Sequence, residues 1–227
     1  MKCDFSYIHY RNVLKKALKE GFSLTNFRDY ERIKSSPRVI ILRHDIDSFP
    51  HRDLRMAQIE NDLGIKSTFF VRVHGQYYYP FEQNTFLNLK QIMELGHEIG
   101  LHSEARTLAP LFQINMVDFF LREKKMLEKI LDIEIISASE HAYLGRPEKF
   151  WQDHFFTKVK KQRVGIENFP QEKRFQKYHY LSDSLGHWRE GCICKNLKKY
   201  DYIQLLIHAA LWGKGGKEAV KKLLSLS

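Results

Sequence analysis

The sequence predicts an α/β fold in which a parallel β-sheet closes into a barrel. Short apolar runs alternate with helical patterns along the chain, about seven strands in all. Most of these runs are apolar on both faces, as expected of strands buried in a parallel sheet. Such alternation implies right-handed crossovers, and about seven or eight strand–helix units in one layer close most economically as a barrel. An open, doubly wound sheet is the alternative.

An N-terminal helix is predicted over residues 7–20, where Ile8, Leu14 and Leu18 recur at near-helical spacing, and we expect it to lie across one end of the domain. The predicted strands are residues 38–42, 67–73, 97–101, 133–137, 163–166, 178–181 and 202–207. Helical patterns cover residues 52–63, 85–96, 115–131, 147–161 and 217–224. Gly64 suits a C-cap and Thr85 an N-cap.

The composition favours one folded domain that spans residues 1–227. Hydrophobic residues make up 43% of the chain and aromatic residues 13%, which is too apolar for a disordered protein. The formal net charge of +10 favours contact with phosphates, acidic sugars or anionic lipid headgroups. No run approaches the ~18 apolar residues of a membrane span, and the first residues carry no apolar signal core. We therefore expect a cytoplasmic protein.

The chain has three cysteines, Cys3, Cys192 and Cys194, which are too few for a disulfide framework. One residue separates Cys192 from Cys194, so they do not form a C-x-x-C pair, and no zinc-finger spacing links them to a histidine. We interpret all three as packing residues.

Ionisable residues follow the predicted strands where each strand ends. They are Asp45, Asp47, His102, His141, Asp183 and His208. In a parallel barrel these ends share one rim, where active sites lie. Asp45 and Asp47 would point to the same side of an extended segment, and a cation between them would relieve their repulsion. The alternative is a loop in which Asp47 caps the next helix. Glu104 is either a metal ligand or a residue that orients one. His97, at the opposite end of its strand, is expected to be structural.

Three segments resemble the motifs of the polysaccharide deacetylases of the NodB-homology type. Residues 42–47 (LRHDID) resemble the first motif, residues 67–70 (STFF) the strand after it, and residues 96–103 (GHEIGLHS) the second motif. The order and spacing agree over residues 38–142. The resemblance implies a distorted (β/α)7 TIM-like barrel, a divalent metal with Zn²⁺ as the expected ion, and removal of acetyl groups from sugars. It assigns Asp45 as general base, Asp47 and His102 as metal ligands, and His208 as general acid.

The sequence departs from the family pattern at position 106. The second histidine of the second motif would fall there, and this chain has Arg106. We expect His141 to be the third metal ligand, with Glu104 or a water as the alternative. Residues 180–188 and 206–212 resemble a divergent branch with members among surface-polysaccharide biosynthesis proteins. Because no signal segment is seen, the expected substrate is an acetylated sugar inside the cell, linked to a nucleotide or a lipid.

A further set of side chains is expected to bind the substrate. They are Arg43, His44, Asp183, Trp188 and Trp212. Arg43 would also hold Asp45 ionised, and Asp183 would accept a hydrogen bond from His102 or from a sugar hydroxyl. The tyrosines at 77–79 would either stack on sugar rings or pack at the rim.

Three other functions stay open from the sequence. The chain could be a glycan-binding barrel whose metal site is weakened by Arg106. It could be a metal hydrolase that acts on another amide or on an ester. The net charge also fits a protein that binds nucleic acid or a membrane surface, although no nucleic-acid motif accompanies it.

Overall fold

The computed structural model describes residues 3–141, 165–170, 172–188 and 190–225, and strands and helices alternate along them. The strands in this part of the chain are β1 (Ser23–Thr25), β2 (Val39–Ile46), β3 (Thr68–Val71), β4 (Glu98–Ser103), β5 (Ala138–Glu140), β6 (His179–Ser182) and β7 (Tyr202–Ile207). The α-helices are α1 (Tyr7–Lys19), α2 (Tyr30–Ile33), α3 (Pro50–Asn61), α4 (Gln83–Glu94), α5 (Ala105–Leu108), α6 (Met116–Leu131), α7 (Ile193–Asn196) and α8 (Gly216–Leu224). None of these helices combines the length and apolar character that crossing a membrane requires.

The strands form one parallel sheet in the order β5-β4-β3-β2-β7-β6, and β1 pairs with the first half of β2. Strands β2 to β5 are neighbours in chain order, and the last strand, β7, returns to the side of β2. That return is how a barrel closes, whereas an open doubly wound sheet would place the last strand at an edge. Among the described residues, β5 and β6 are not paired with each other. The sheet is therefore a curled half-barrel with helices, and the predicted (β/α)7-type fold is confirmed.

Strand β2 is buried along its whole length and presents two different faces. Val39 and Ile41 pack with Phe70 in a cluster on the inner face of the curl. Ile40 and Leu42 belong to a separate cluster that α1 and β7 also line. Because side chains alternate along a strand, residues 43, 45 and 47 continue the inner face, and residues 44 and 46 continue the face toward the helices.

A glycine lets β4 approach the inner face closely. A Cβ on Gly100 would lie 2.6 Å from the Phe70 ring, so only glycine fits there without a shift. His102 lies two residues further along β4, on the same face and beside Ser139 of β5. The close approach at Gly100 thereby brings His102 toward the end of β2.

Most predicted elements are confirmed, and the largest differences concern the strands predicted at 38–42 and 133–137. The strand predicted at 38–42 extends through Ile46, so the LRHDID segment lies mostly inside β2 and not in a loop. The run at 133–137 does not join the sheet before Ser137, because the carbonyl of Ile136 accepts hydrogen bonds from the amides of residues 167 and 168. Strand β5 begins only at Ala138.

The remaining differences are small. Helix α4 begins before Thr85, because the Glu82 side chain accepts hydrogen bonds from the amides of Asn84 and Thr85 and caps the helix itself. The helix predicted at 147–161 lies outside the described residues, as does the first half of the strand predicted at 163–166, and the second half is not a strand.

Candidate functional site

Side chains from four strands meet at the carboxyl ends of the sheet. Asp45 lies near the end of β2 and Asp47 follows it, His102 lies in β4, and His141 and His208 directly follow β5 and β7. The Nε2 atom of His102 lies 3.4 Å from Asp45 Oδ2 and 3.8 Å from Asp47 Oδ1. The Nε2 atoms of His141 and His208 lie 3.7 Å and 3.8 Å from the Asp47 carboxylate. The structure thus brings together these five residues predicted from the sequence.

Asp45 is buried and held by the arginine that precedes it by two residues. Arg43 Nη2 donates to both carboxylate oxygens at 2.6 Å, and Nε donates to Oδ1 at 3.1 Å. Burial alone would raise the pKa of Asp45, but the positive charge of Arg43, with His102 and His208, lowers it to about 2. Asp45 is therefore an ionised carboxylate at neutral pH, at the base of the rim.

Asp47, His102 and His141 have the geometry of a metal-binding trio. One ligand atom from each lies within 4.8 Å of the other two. Asp47 Oδ1 is buried and has no hydrogen bond among the described residues, since Arg72 Nη1 lies 3.6 Å away, and a bound cation would satisfy this oxygen. The Ser139 hydroxyl lies 2.8 Å from His102 Nδ1, so the opposite ring nitrogen, Nε2, is left to face the carboxylates. One carboxylate and two imidazoles suit a divalent cation such as Zn²⁺.

Arg72 and Glu104 surround this trio. Arg72 Nη1 lies 3.6 Å from Asp47 Oδ1, and its Nη2 donates to Glu104 Oε1 at 2.7 Å. Glu104 Oε1 also lies 3.5 Å from His141 Nδ1. Burial would raise the pKa of Glu104, but the hydrogen bonds from His141 and Arg72 lower it to about 2. Glu104 is thus an ionised neighbour that orients His141. Arg72 was missed from the sequence, although it lies two residues beyond Phe70 on the same face.

His208 is held by a buried aspartate. Asp183 Oδ1 lies 2.7 Å from His208 Nδ1 and accepts a second bond from the His208 amide, while Asp183 Oδ2 accepts from Trp212 Nε1 at 2.7 Å. Burial would lower the pKa of His208, but the bond to Asp183 and the charges of Asp183, Asp47 and Asp45 raise it to about 9. His208 is therefore an imidazolium near neutral pH, with Nε2 directed at the rim.

The residue at the position of the missing family histidine makes an ion pair. Arg106 donates to Glu140 through Nε and, at 3.2 Å, through Nη2. Glu140 is the last residue of β5, and His141 follows it. Arg106 therefore contacts the residue next to His141, the histidine expected from the sequence to be the third metal ligand.

Three of the residues expected to bind substrate do not line the rim. His44 is 0% exposed, because it lies on the helix-facing side of β2 and bonds Glu60 at 2.7 Å. Trp212 and Asp183 are also buried, and they bond to each other. The interpretation of these three as substrate contacts stays a prediction that their burial does not support, and the partner of Asp183 is His208 rather than His102.

The remaining expected substrate contacts differ in their exposure. Arg43 is buried, and its guanidinium group donates hydrogen bonds to Asp45. Trp188 is half-buried against Phe5 and Trp212, and its contact with substrate stays a prediction. Among the tyrosines at 77–79, Tyr78 is buried, whereas Tyr79 is exposed.

No protein-family model matches the sequence, and no curated protein matches it. Similar folds occur among solved structures. A family 4 carbohydrate esterase from Bacillus anthracis matches with a TM-score of 0.46 and 18% identity, over 99% of this chain and 87% of that one. The peptidoglycan deacetylase PdaC from Bacillus subtilis matches with a TM-score of 0.48 and 16% identity, over 84% and 85% of the two chains.

A third match covers less of both chains. The Streptococcus pyogenes deacetylase PplD, in complex with acetate, has a TM-score of 0.44 and 17% identity, over 57% of this chain and 60% of that one. These neighbours are of the class that the sequence motifs resemble. At such identities and TM-scores, the function of this chain has to be argued from its own residues.

Proposed function

We propose that this protein is a metal-dependent deacetylase that removes the acetyl group from an N-acetylated sugar. The observation that carries the proposal is the meeting of Asp45, Asp47, His102, His141 and His208 at one rim. An ionised carboxylate, a three-residue donor set and a protonated imidazole are the groups that hydrolysis of an amide requires.

Asp47, His102 and His141 would hold the divalent cation. The donor set and the buried Asp47 Oδ1, which makes no hydrogen bond among the described residues, support this assignment. A cation bound there supplies a Lewis acid for an acyl carbonyl oxygen and lowers the pKa of a water. Ser139 and Glu104 would orient the two histidine rings through Nδ1.

Asp45 is the proposed general base. It is ionised and buried, and it lies 3.4 Å from the His102 nitrogen that faces the cation site. In the proposed reaction, Asp45 takes the proton of the attacking water. The bonds from Arg43 fix the carboxylate in place, so its role requires no rearrangement of the side chain.

His208 is the proposed general acid. Its raised pKa keeps the ring protonated at neutral pH, and Asp183 fixes the ring through Nδ1. The free Nε2–H faces the rim on the side of Asp47, from which it can protonate the departing sugar amine. The lowered pKa of Asp45 keeps the base ionised and the raised pKa of His208 keeps the acid protonated, so both groups start in the protonation states that their roles require.

The proposed substrate is an acetylated precursor in surface-polysaccharide biosynthesis, carried on a nucleotide or a lipid phosphate. The net charge of +10 supports an anionic carrier, because a basic surface attracts phosphate. Nucleotide-linked N-acetyl sugars, lipid-linked N-acetyl sugars and neutral N-acetylated oligosaccharides are therefore the three substrate classes to compare.

The test is acetate release by the zinc-loaded protein. Asp45→Asn is expected to abolish acetate release while metal content stays unchanged, since the metal ligands are kept. Asp132→Asn is the matched control: Asp132 lies at φ 53°, which asparagine adopts readily, and it ends α6 away from the rim. Full activity in Asp45→Asn would show that Asp45 is not the base. A parent protein that binds glycan without releasing acetate would instead favour a barrel that has lost catalysis.

A further inference from the structure

A second group of metal-ligating side chains lies outside the rim. All three cysteines of the chain gather around one histidine, with ligand atoms of Cys3, His9, Cys192 and Cys194 within 4.8 Å of one another. Cys3 Sγ lies 3.1 Å from Cys194 Sγ, and His9 Nε2 lies 3.2 Å from Cys192 Sγ. The interpretation of the cysteines as packing residues did not anticipate this, because residues 3 and 194 are far apart in the chain.

Hydrogen bonds to the backbone fix both segments that carry the residues of the cluster. The Ser6 hydroxyl caps α1 by accepting from the amide of His9, which fixes His9 in the first turn. Opposite it, Gly191 takes φ 84°, and the buried Asn196 side chain donates to the carbonyls of Gly191 and Cys192. The N-terminal segment is anchored as well, since Phe5 accepts a hydrogen bond from Gly213.

Hydrogen bonding between thiol and imidazole does not account for the cluster. All three cysteines are free, and the sulfur atoms of Cys3 and Cys194 lie 3.1 Å apart. A buried histidine whose neighbour is a thiol gains little from so weak a hydrogen bond.

We propose that Cys3, His9, Cys192 and Cys194 bind a structural zinc ion. Three sulfur ligands and one imidazole form a complete tetrahedral set, and closed sites of this composition are structural rather than catalytic. With Zn–S bonds of about 2.3 Å, sulfur atoms in such a site stand about 3.8 Å apart, which small side-chain rotations provide here. Soft thiolate ligands select zinc over calcium or magnesium. This site is separate from the rim, and the proposal does not depend on the proposed function.

The ion would tie the N-terminal segment and α1 to the beginning of α7, where Cys192 is the N-cap and Cys194 lies in the helix. That junction lies behind the rim: the His9 ring stacks parallel to Trp212, and Trp212 donates to Asp183, the partner of His208. The zinc site would therefore stabilise the position of Trp212 and, through Asp183, that of His208, the proposed general acid.

The test measures metal per chain in a background where the rim cannot bind it. Asp47→Ala/His102→Ala is prepared with zinc or Co²⁺ and freed of loose metal by gel filtration. We expect about one equivalent of zinc per chain and, with Co²⁺, the intense visible absorption of a tetrahedral thiolate site. Adding Cys3→Ser, which changes an exposed residue and should not disturb folding, is expected to weaken or abolish both signals. Adding Cys194→Ser is expected to do the same.

The matched control is His187→Ala in the same background, because His187 is exposed and its Nδ1 lies 3.4 Å from the carbonyl of Leu185 in its own loop, away from the cluster. It should keep the full equivalent of zinc. The proposal is overturned if the background protein binds no zinc, if the cobalt spectrum lacks thiolate character, or if mass spectrometry of the native protein finds Cys3 joined to Cys194 as a disulfide.

Discussion

Two groups of histidines and carboxylates lie on opposite faces of β2, and they differ in their exposure to solvent. On the inner face, the Asp47 side chain is 31% exposed. On the helix-facing side, Glu60, His44 and His97 have side chains that are 0% exposed. The first group is open to solvent, whereas the second is sealed from it.

The sealed group is centred on Glu60 of α3. Its Oε1 accepts from the Tyr10 hydroxyl at 2.5 Å and lies 2.7 Å from His44 Nε2, and its Oε2 accepts from the Ser67 hydroxyl at 2.5 Å. His97 bonds Ser67 and the carbonyl of residue 57. These contacts join α1, α3 and three strand segments. The difference teaches that adjacent residues of one motif can have opposite surroundings: His44 packs against α3 and Asp45 faces the rim, because side chains alternate along a strand.

Paired amide substitutions provide the strongest test of this comparison. Asp47→Asn is expected to lower acetate release on the order of 10³-fold, since a metal ligand is lost, with little change in the free energy of unfolding. Glu60→Gln is expected to lower the free energy of unfolding by about 2–3 kcal/mol, because three donors face the carboxylate and an amide cannot accept from all of them. Its kcat should stay within about threefold of the parent.

Urea unfolding and steady-state kinetics on both variants separate the two roles. Either of two results would contradict the comparison. One is that Asp47→Asn unfolds the protein. The other is that Glu60→Gln loses activity while remaining as stable as the parent.

The sequence predicted the inner group well, because its members recur at strand ends. Asp45, Asp47, His102 and His208 each follow an apolar run, and parallel strands bring such ends together. His44 was expected at the rim because β2 was expected to stop before it. Had the strand been extended through Ile46, alternation would have turned His44 away from the rim.

Other features left no pattern in the sequence. The cysteines of the proposed zinc site come from the N-terminus and from residues 192–194. Because these segments are far apart in the chain, no short Cys spacing predicts the site. Arg72 and Glu104 meet only because β3 and β4 are neighbours with matched register. The pairing of residues 167–168 with Ile136 likewise depends on tertiary packing, which displaced β5 from its predicted position.

A buried glutamate behind the rim, Glu123, extends the comparison to the pH dependence of stability. Glu123 of α6 accepts from the Ser103 hydroxyl at 2.5 Å and from the Glu104 amide at 3.1 Å. Burial raises its pKa from 4.5 to about 8, whereas at Glu60 the effect of burial is overcome by His44 and the pKa is lowered. Glu123 thus keeps its proton in the folded state over a range in which the unfolded chain has lost it.

The sign follows from proton binding. Between about pH 4.5 and pH 8 the folded state holds more protons at this site, so its contribution to stability falls as pH rises. Glu123→Gln cannot titrate, so its stability relative to the parent should rise between pH 5 and pH 8 on the order of 2–3 kcal/mol. Urea unfolding at several pH values measures this, with Glu94→Gln, at the exposed end of α4, as the control. Parallel pH curves for parent and Glu123→Gln would contradict the raised pKa.

The smallest expected effect concerns Arg106 and the question of whether the rim still binds metal without the family's second histidine. Arg106 clamps Glu140, and the amide of His141 donates to the Ser103 carbonyl at 2.9 Å, so the end of β5 is fixed from two sides. If this clamp positions His141, Arg106→Met should weaken zinc binding at the rim about 10-fold. Calorimetry in a Cys3→Ser/Cys194→Ser background keeps the second site out of the measurement.

The decisive companion variant is Arg106→His, which restores the family residue. With His141 already in the third position, an added imidazole has no vacant place to fill, so zinc affinity should not rise, and it should fall as in Arg106→Met because the clamp on Glu140 is lost. The opposite result would be a rise in zinc affinity, together with acetate release that the parent protein lacks. It would mean that His141 is too far from the ion to replace the missing ligand. The parent, with Arg106, would then be a barrel that has lost catalysis. The two outcomes change zinc affinity in opposite directions. This substitution therefore decides whether His141 is the third metal ligand or whether the rim has lost its third ligand.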